Sequence, residues 1–348
     1  MTSRPTTPMR TSGCGCDGPA VRVLSVAPGP EEHGVVRHAL TVARLLSAVP
    51  GVQVTTTRSL DLPAGAYDVT HVQFTDALFG TDVAGAARAF EAWSARAPRP
   101  LVVTLHDVPG ADPDPGRDAR RREGYRRVLA QVDAVVVSWA REARDARLVD
   151  GLHPVVVPLP VEPLAAPGAA PGWADRSTVG VLGFVYPGKG HAEALEAVAR
   201  SGLRATVVAL GGPSAGHEPL VAQLHRRAES LGVELLVTGS LSEPDLHAAA
   251  RATSVPLAAY RTLGASASIA TWIAAARRPL VLPSAYVLDH ETSWPGALLV
   301  AQEDLPSALA AAMGNLSSTW STSAAPRPDV AAAHLAVLRS VTARAAAA

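Results

Sequence analysis

Valine-rich apolar runs recur along this chain with helical patterns between them, and that alternation limits what it can fold into. In the first half the runs are residues 21–27, 52–57, 69–74, 101–106, 134–138 and 155–159, each bounded by Gly, Pro or Asp. Several are apolar without a polar alternate, as strands covered on both faces are. Between them, residues 34–48 place Val35, Ala39, Val42 and Leu46 on one helical face. Residues 84–97, 117–130 and 140–149 are further helical candidates. Strand alternating with helix predicts a parallel, doubly wound sheet.

Residues 161–172 turn to Pro, Ala and Gly, the composition of a linker. The alternation then restarts, with strands expected at 178–183, 205–210, 233–238, 255–260, 280–283 and 297–300. The intervening helices are well marked. Leu220, Val221, Leu224, Ala228 and Leu231 share a face, and Ser242 with Asp245 makes a Ser-x-x-Asp box. Residues 265–276, 304–313 and 329–345 complete the set. The domains read as a leader over 1–19, a first Rossmann-like half over 20–160, the linker 161–172, a second half over 173–325 and a terminal helix over 326–348. Two such α/β halves place a ligand cleft between them, at the carboxyl ends of both sheets.

Composition narrows the function. The 31 basic and 31 acidic residues balance, so nothing calls for nucleic acid as a partner. No apolar run is long enough to span a bilayer, and residues 1–10 lack the apolar core of a signal peptide. Cys14 and Cys16, in a leader expected to be disordered, have no second ligand pair. They read as free thiols, and a cytoplasmic location fits that usage.

The stretch Gly183-Phe-Val-Tyr-Pro-Gly-Lys189-Gly190-His191 joins an expected strand to an expected helix. Backbone amides, the positive end of a helix and one lysine can seat a phosphate there. It lacks the Gly-x-x-x-x-Gly-Lys-Ser/Thr pattern, and an ordinary turn with a surface lysine is the plain alternative. Gly264-Ala-Ser266-Ala-Ser268-Ile269 leads into another helix and offers a second seat, or simply a capped helix start. In the first half, Gly34 opens a helix after a Pro/Gly loop that carries no Gly-x-Gly-x-x-Gly. That absence argues against a nicotinamide or flavin cofactor. His106, with Asp107, ends a central strand where it would face the cleft and donate to a hydroxyl or to developing charge; bonding a backbone carbonyl is the alternative. His71, His225 and His247 read as structural or solvent-facing. Six arginines between Arg117 and Arg127 offer a basic face to anionic lipid headgroups or a charged acceptor, or a solvated helix face.

The ordered set of motifs resembles the GT-B-fold glycosyltransferases of the large retaining family known as family 4-like, or group 1. The likeness runs from about Val21 to Leu338. It rests on Gly34-Val-Val-Arg-His-Ala-Leu, Tyr67-Asp-Val-Thr-His-Val-Gln73, Val103-Thr-Leu-His106-Asp107, the Gly183–Gly190 turn, Thr238-Gly239-Ser-Leu241 and Ala276-Arg-Arg-Pro279. The resemblance implies transfer of a sugar from a nucleoside-diphosphate donor to a hydroxyl acceptor, with retention and without a metal. Lys189, Gly183 and Gly190 would hold the diphosphate. Gly264, Ser266, Ser268 and Ile269 would contact phosphate or sugar, and Gly239 and Leu241 the base. His106 would reach the donor sugar and Gly34 would line the reaction centre.

Four positions depart from the family pattern. The places of its two glutamates hold Gly264 and Trp272, Phe184 stands for a common arginine, and Arg277 for a glycine. The missing carboxylates leave a second reading, a non-catalytic nucleotide-sugar-binding subunit that supports an active partner. A sugar-nucleotide epimerase of similar two-domain shape is a third.

Overall fold

The structure, a computed structural model, describes residues 20–31, 33–110, 114–260, 266–322 and 327–347 of the 348-residue chain. The expected leader, with Cys14 and Cys16, and Gly264 lie outside the described residues.

Two six-stranded, wholly parallel sheets form the architecture. The first contains β1 (Val21–Val26), β2 (Val52–Thr57), β3 (Val69–Phe74), β4 (Leu101–Leu105), β5 (Ala134–Val137) and β6 (Val155–Val156), in the order β2-β1-β3-β4-β5-β6. The second contains β7 (Thr178–Leu182), β8 (Thr206–Leu210), β9 (Leu235–Val237), β10 (Val255–Ala258), β11 (Leu280–Val281) and β12 (Leu299–Val300), in the order β12-β11-β10-β7-β8-β9. In each sheet the winding reverses beside the first strand, β1 or β7. Doubly wound sheets open a crevice at that point. The loops after β1, β3, β7 and β10 therefore frame the two halves of a cleft.

The helices are α1 (Gly34–Ser47), α2 (Asp76–Phe79), α3 (Val83–Ser94), α4 (Pro115–Leu129), α5 (Ala140–Asp145), α6 (His191–Ser201), α7 (Glu218–Leu231), α8 (Glu243–Ala252), α9 (Ala267–Ala274), α10 (Ala285–Ser293), α11 (Leu305–Gly314) and α12 (Val330–Ala347). Local chemistry sets many of their ends. The Asp82 carboxylate accepts from the Gly85 amide at 2.7 Å, Asp304 from Ser307 at 3.0 Å, and Ser242 from Asp245 at 3.3 Å. Each satisfies an orphan donor of a first turn.

The observed strands stop short of the expected ones at their carboxyl ends. Residues 27, 106, 138, 183 and 260 fall just beyond the strands, where the chain turns into the cleft loops, although the amides of Ala27, His106 and Gly183 still donate to the carbonyls of Thr57, Phe74 and Leu210. At β6 only two residues pair, and Pro158 and Pro160, which carry no N–H, follow. Helices α2 and α10 were not expected. The segment forming α10 has no apolar periodicity; a Ser284 cap on the Val287 amide starts it, and contacts at the domain junction hold it.

Helix α12 crosses back to the first half. Val330, Leu335, Val337, Leu338 and Val341 pack with Val21, Val23, Val42 and Leu46 beneath the first sheet. The linker is not a free strap: the Gly168 amide donates to Pro244 O at 2.8 Å, and His247 Nδ1 lies 2.6 Å from Ala165 O. At the junction Trp139 stacks on His290, with centroids 4.9 Å apart, and meets Trp294 edge-on. Arg144 and Asp289 approach to 3.4 Å across the same seam.

Arg277 is buried. Its guanidinium donates to the carbonyls of Ala250, Arg251, Thr253, Ser254 and Thr319, and it lies 4.1 Å from the Trp320 ring centroid. Burial, and secondarily Arg251, lowers its pKa to about 10. It ties α8, the Leu316–Thr319 turn and the 276–279 bend into one piece.

Candidate functional site

The turn after β7 is built on missing side chains. A Cβ on Gly183, whose φ is +113°, would lie 2.8 Å from Ser268 Oγ and 3.1 Å from Lys189 Nζ. Gly190 starts α6 with φ +98° and no side-chain cap; a Cβ there would meet Ala259 O at 2.8 Å. First-turn amides of α6 are thus left without a side-chain acceptor, at the positive end of the helix.

Lys189 is only 6% exposed. Its ammonium donates to Ser268 Oγ at 3.0 Å and sits 4.1 Å from the centroid of Tyr260 and 5.8 Å from that of Tyr186. No carboxylate among the described residues pairs with it. A buried cation met by one hydroxyl and two ring faces is left electrostatically uncompensated, which favours an anion beside it.

Both expected anion seats therefore converge, since Ser268 belongs to α9 and Lys189 to the turn before α6. Ser266 Oγ accepts from the Ile269 amide at 3.4 Å, so the cap occupies that amide from within. Gly239, with φ +71°, ends β9 near Gly212, whose added Cβ would lie 3.6 Å from Gly239 Cα. Leu241 packs with the cluster around Trp173 and Leu210. The sequence reading missed Gly211 and Gly212. A Cβ on Gly211 would lie 2.3 Å from Gly183 O, so β7 and β8 end in direct backbone contact. The signal was present as a Gly-Gly pair directly after a strand. It also missed His191. That ring is buried, neither of its nitrogens has a partner among the described residues, and burial followed by Lys189 lowers its pKa to about 4.

On the first half, His106 follows β4 and is half-buried. Its Nε2 lies 2.8 Å from Gln73 Oε1, and its ring meets His38 edge-on at 5.3 Å. Burial pushes its pKa down to about 4, against the pull of Asp107 and with a smaller push from His33. Asp107 has φ +53°, a costly conformation outside glycine, and its carboxylate accepts from the Thr75 hydroxyl at 2.9 Å. Gly34 is exposed at the start of α1, and a Cβ there would meet nothing within 4 Å. Of the structural and solvent-facing readings of His71 the structural one holds: the ring is buried, with Nε2 2.7 Å from Thr104 Oγ1.

The arginines of α4 are largely paired. Arg122 meets Asp118, Arg126 meets Glu123, Arg127 meets Glu91, and Arg121 meets Asp76 and the Asp107 carbonyl. Among the described residues no helix is long and apolar enough to cross a membrane, and no group of three or more His, Cys, Asp or Glu side chains is placed to hold a metal.

No protein-family model and no curated protein matches this sequence. Solved structures do. HepE of Anabaena, in complex with UDP-glucose, superposes with a TM-score of 0.67 at 14% identity, over 93% of this chain and 100% of that one. Sucrose-phosphate synthase of Thermosynechococcus elongatus gives 0.64 at 12% identity, over 94% and 97%. A UDP-forming trehalose-phosphate synthase of Burkholderia xenovorans gives 0.51 at 16%, over 78% and 70%. The chain has the GT-B fold. Lys189 and Ser268 stand at the carboxyl edge of the second Rossmann-like domain, and His106 at that of the first. Trp272 is wholly buried in the second domain.

Proposed function

We propose that the protein transfers a sugar from a nucleoside-diphosphate donor to a hydroxyl acceptor. One observation carries the reading: the buried, carboxylate-free Lys189 ammonium at the junction of the α6 and α9 helix starts. In transfer, negative charge develops on the leaving diphosphate. Lys189, the Ser268 hydroxyl and uncapped α6 amides are donors already in place for it. Their cationic and backbone donors meet that charge without a metal. Gly183, Gly190, Gly239 and Gly34 keep Cβ atoms out of the path, and Ser266 and Ile269 build the α9 start. His106 approaches the donor sugar from the first domain, and the acceptor enters between the domains. The HepE–UDP-glucose complex, with the same fold over nearly the whole chain, supports a UDP-sugar as the first donor to try.

Trp272 and the absent glutamates favour a second reading, a nucleotide-sugar-binding subunit without turnover. Purified protein incubated with UDP-, GDP- and ADP-sugars distinguishes them. Release of nucleoside diphosphate, lost in Lys189→Ala, supports the enzyme. Thermal stabilisation by nucleotide with no release supports the binding subunit.

A further inference from the structure

The face of the first sheet beneath α1 and α12 changes character along its strands. Near the amino ends it is apolar: Val21, Val23, Val69 and Val102. Towards the carboxyl ends the same face carries His71 and Gln73 on β3, then Thr104 on β4 and His106 just beyond it. The two-residue period of a strand puts all four on that side, and the parallel register sets Gln73 beside Thr104. Gln73 is 0% exposed. Polar groups sealed this deeply are costly unless bonded, and these are bonded in series. Thr104 Oγ1 lies 2.7 Å from His71 Nε2, Gln73 Nε2 lies 3.3 Å from the same nitrogen, and Gln73 Oε1 lies 2.8 Å from His106 Nε2.

An amide has fixed polarity: its NH2 only donates and its oxygen only accepts. His71 Nε2 faces the NH2 and is therefore the bare nitrogen of its ring. His106 Nε2 faces the oxygen and therefore carries the proton. A neutral imidazole has one N–H, so Nδ1 of His106 is a bare lone pair. Nδ1 has no hydrogen-bond partner among the described residues and is not sealed from solvent. The groups around the ring are His38 and His33 from α1, Asp107 beside it, and the Tyr125 hydroxyl, which donates to the His106 carbonyl at 2.9 Å. His334 of α12 lies 5.3 Å from His71.

We infer that Gln73 is the positioning residue of His106: it fixes the Nε2–H tautomer and leaves Nδ1 as an acceptor at the cleft. The group His106 meets is then a hydrogen-bond donor, a sugar hydroxyl, and not a carboxylate or carbonyl oxygen. Neutral hexose donors fit this atom, and hexuronate donors present it with the wrong charge. The assignment to a donor sugar rests on the proposed transfer; the tautomer does not.

The test is therefore read first without substrate. The full chain, labelled with ¹⁵N-histidine, is examined by NMR at pH 7, with His106 assigned by its loss in His106→Gln. The expected spectrum shows the proton on Nε2 and a bare Nδ1. In Gln73→Met the signal moves to a mixture of tautomers. In Gln73→Glu the proton stays on Nε2 and the His106 titration moves up, as a neighbouring carboxylate requires. A wild-type proton on Nδ1, or an unchanged tautomer in Gln73→Met, overturns the inference; should Gln73→Met not fold, the wild-type spectrum decides alone by which nitrogen carries the proton. With an active donor, Gln73→Met lowers kcat/KM roughly 10- to 100-fold, the scale at which an outer partner orients a histidine, and Gln73→Glu recovers part of it. A loss in Gln73→Met that Gln73→Glu does not recover points to mere packing and also overturns it. Absence of any transfer by the wild type would count against the proposed function while leaving the tautomer result standing.

Discussion

Lys189 Nζ donates to Ser268 Oγ at 3.0 Å, joining two helix starts that lie 79 residues apart in sequence. The contact closes the carboxyl edge of the second sheet around a buried positive charge. The residue after the turn's first glycine is Phe184, 44% exposed, so Lys189 is the one cation the turn supplies.

The charge is costly without its anion. Lys189→Met keeps an unbranched apolar stem beside Tyr260 and removes the ammonium. In anion-free buffer its Tm should equal or exceed that of the wild type, since replacing an uncompensated buried ion is often neutral or stabilising. Saturating nucleoside diphosphate should stabilise the wild type, by about 2.7 kcal/mol at a hundredfold excess over Kd, and not the variant. Differential scanning calorimetry measures both. A variant less stable than the wild type in the absence of anion contradicts the electrostatic reading.

Gly183 is the position where one methyl group should matter most. Ala there brings Cβ to 3.0 Å from Lys189 Cε and 2.8 Å from Ser268 Oγ, with φ at +113°. Gly183→Ala should lose roughly 1–3 kcal/mol in urea unfolding from backbone strain alone. It should also weaken nucleotide binding, because the lysine must move. Retention of wild-type affinity would show that the Lys189–Ser268 contact is dispensable.

Acid should unfold the protein early. His106, His191 and His290 have pKa values lowered to about 4 from 6.5, in each case chiefly by burial. His38, His71 and His334 shift the same way. Between pH 6.5 and 4 the unfolded chain binds more protons than the folded one. Stability is therefore full above the unfolded value and falls as pH drops towards 4. Urea midpoints measured from pH 7.5 to 4.5 should decline steadily, and more gently in His191→Phe. A flat profile contradicts the neutral, buried assignment.

Replacing Arg277 with glycine should harm this protein. Arg277→Gly leaves five carbonyl acceptors without the guanidinium that now serves them and opens a cavity against Trp320. A loss of roughly 3 kcal/mol or more is expected from unmet buried acceptors and lost packing. Equilibrium unfolding checks it, and a neutral effect would make Arg277 incidental.

Much of this architecture was legible because it depends on period and punctuation. The Val runs of β1, β3 and β4 are buried on both faces, and that is why they lack alternation. Ser242 marked a helix start through its Ser-x-x-Asp box. Illegible were relations between distant elements. The apolar face of α12 shows in Leu335, Leu338 and Val341, but nothing in the sequence says it covers the first sheet rather than the second. Nothing in the sequence around Arg277 shows the five carbonyls that converge on it. The polar row of His71, Gln73 and Thr104 lies on a buried face of β3 and β4, and what satisfies it depends on partners from another strand. At the site, the Lys189 turn and the Ser266–Ser268 start were each readable alone. Their direct contact, and the Gly211–Gly183 approach beneath them, needed the packing of β7 against β8 and β10.

The most direct measurement is isothermal titration of the full-length protein with UDP, GDP and ADP in metal-free buffer, beside Lys189→Met. The account predicts that at least one nucleoside diphosphate binds without added metal and that the variant loses that binding by roughly 2–5 kcal/mol, the scale for removing one partner of a buried charge contact. Binding that is equal in wild type and Lys189→Met, or no nucleoside diphosphate binding at all, would contradict it.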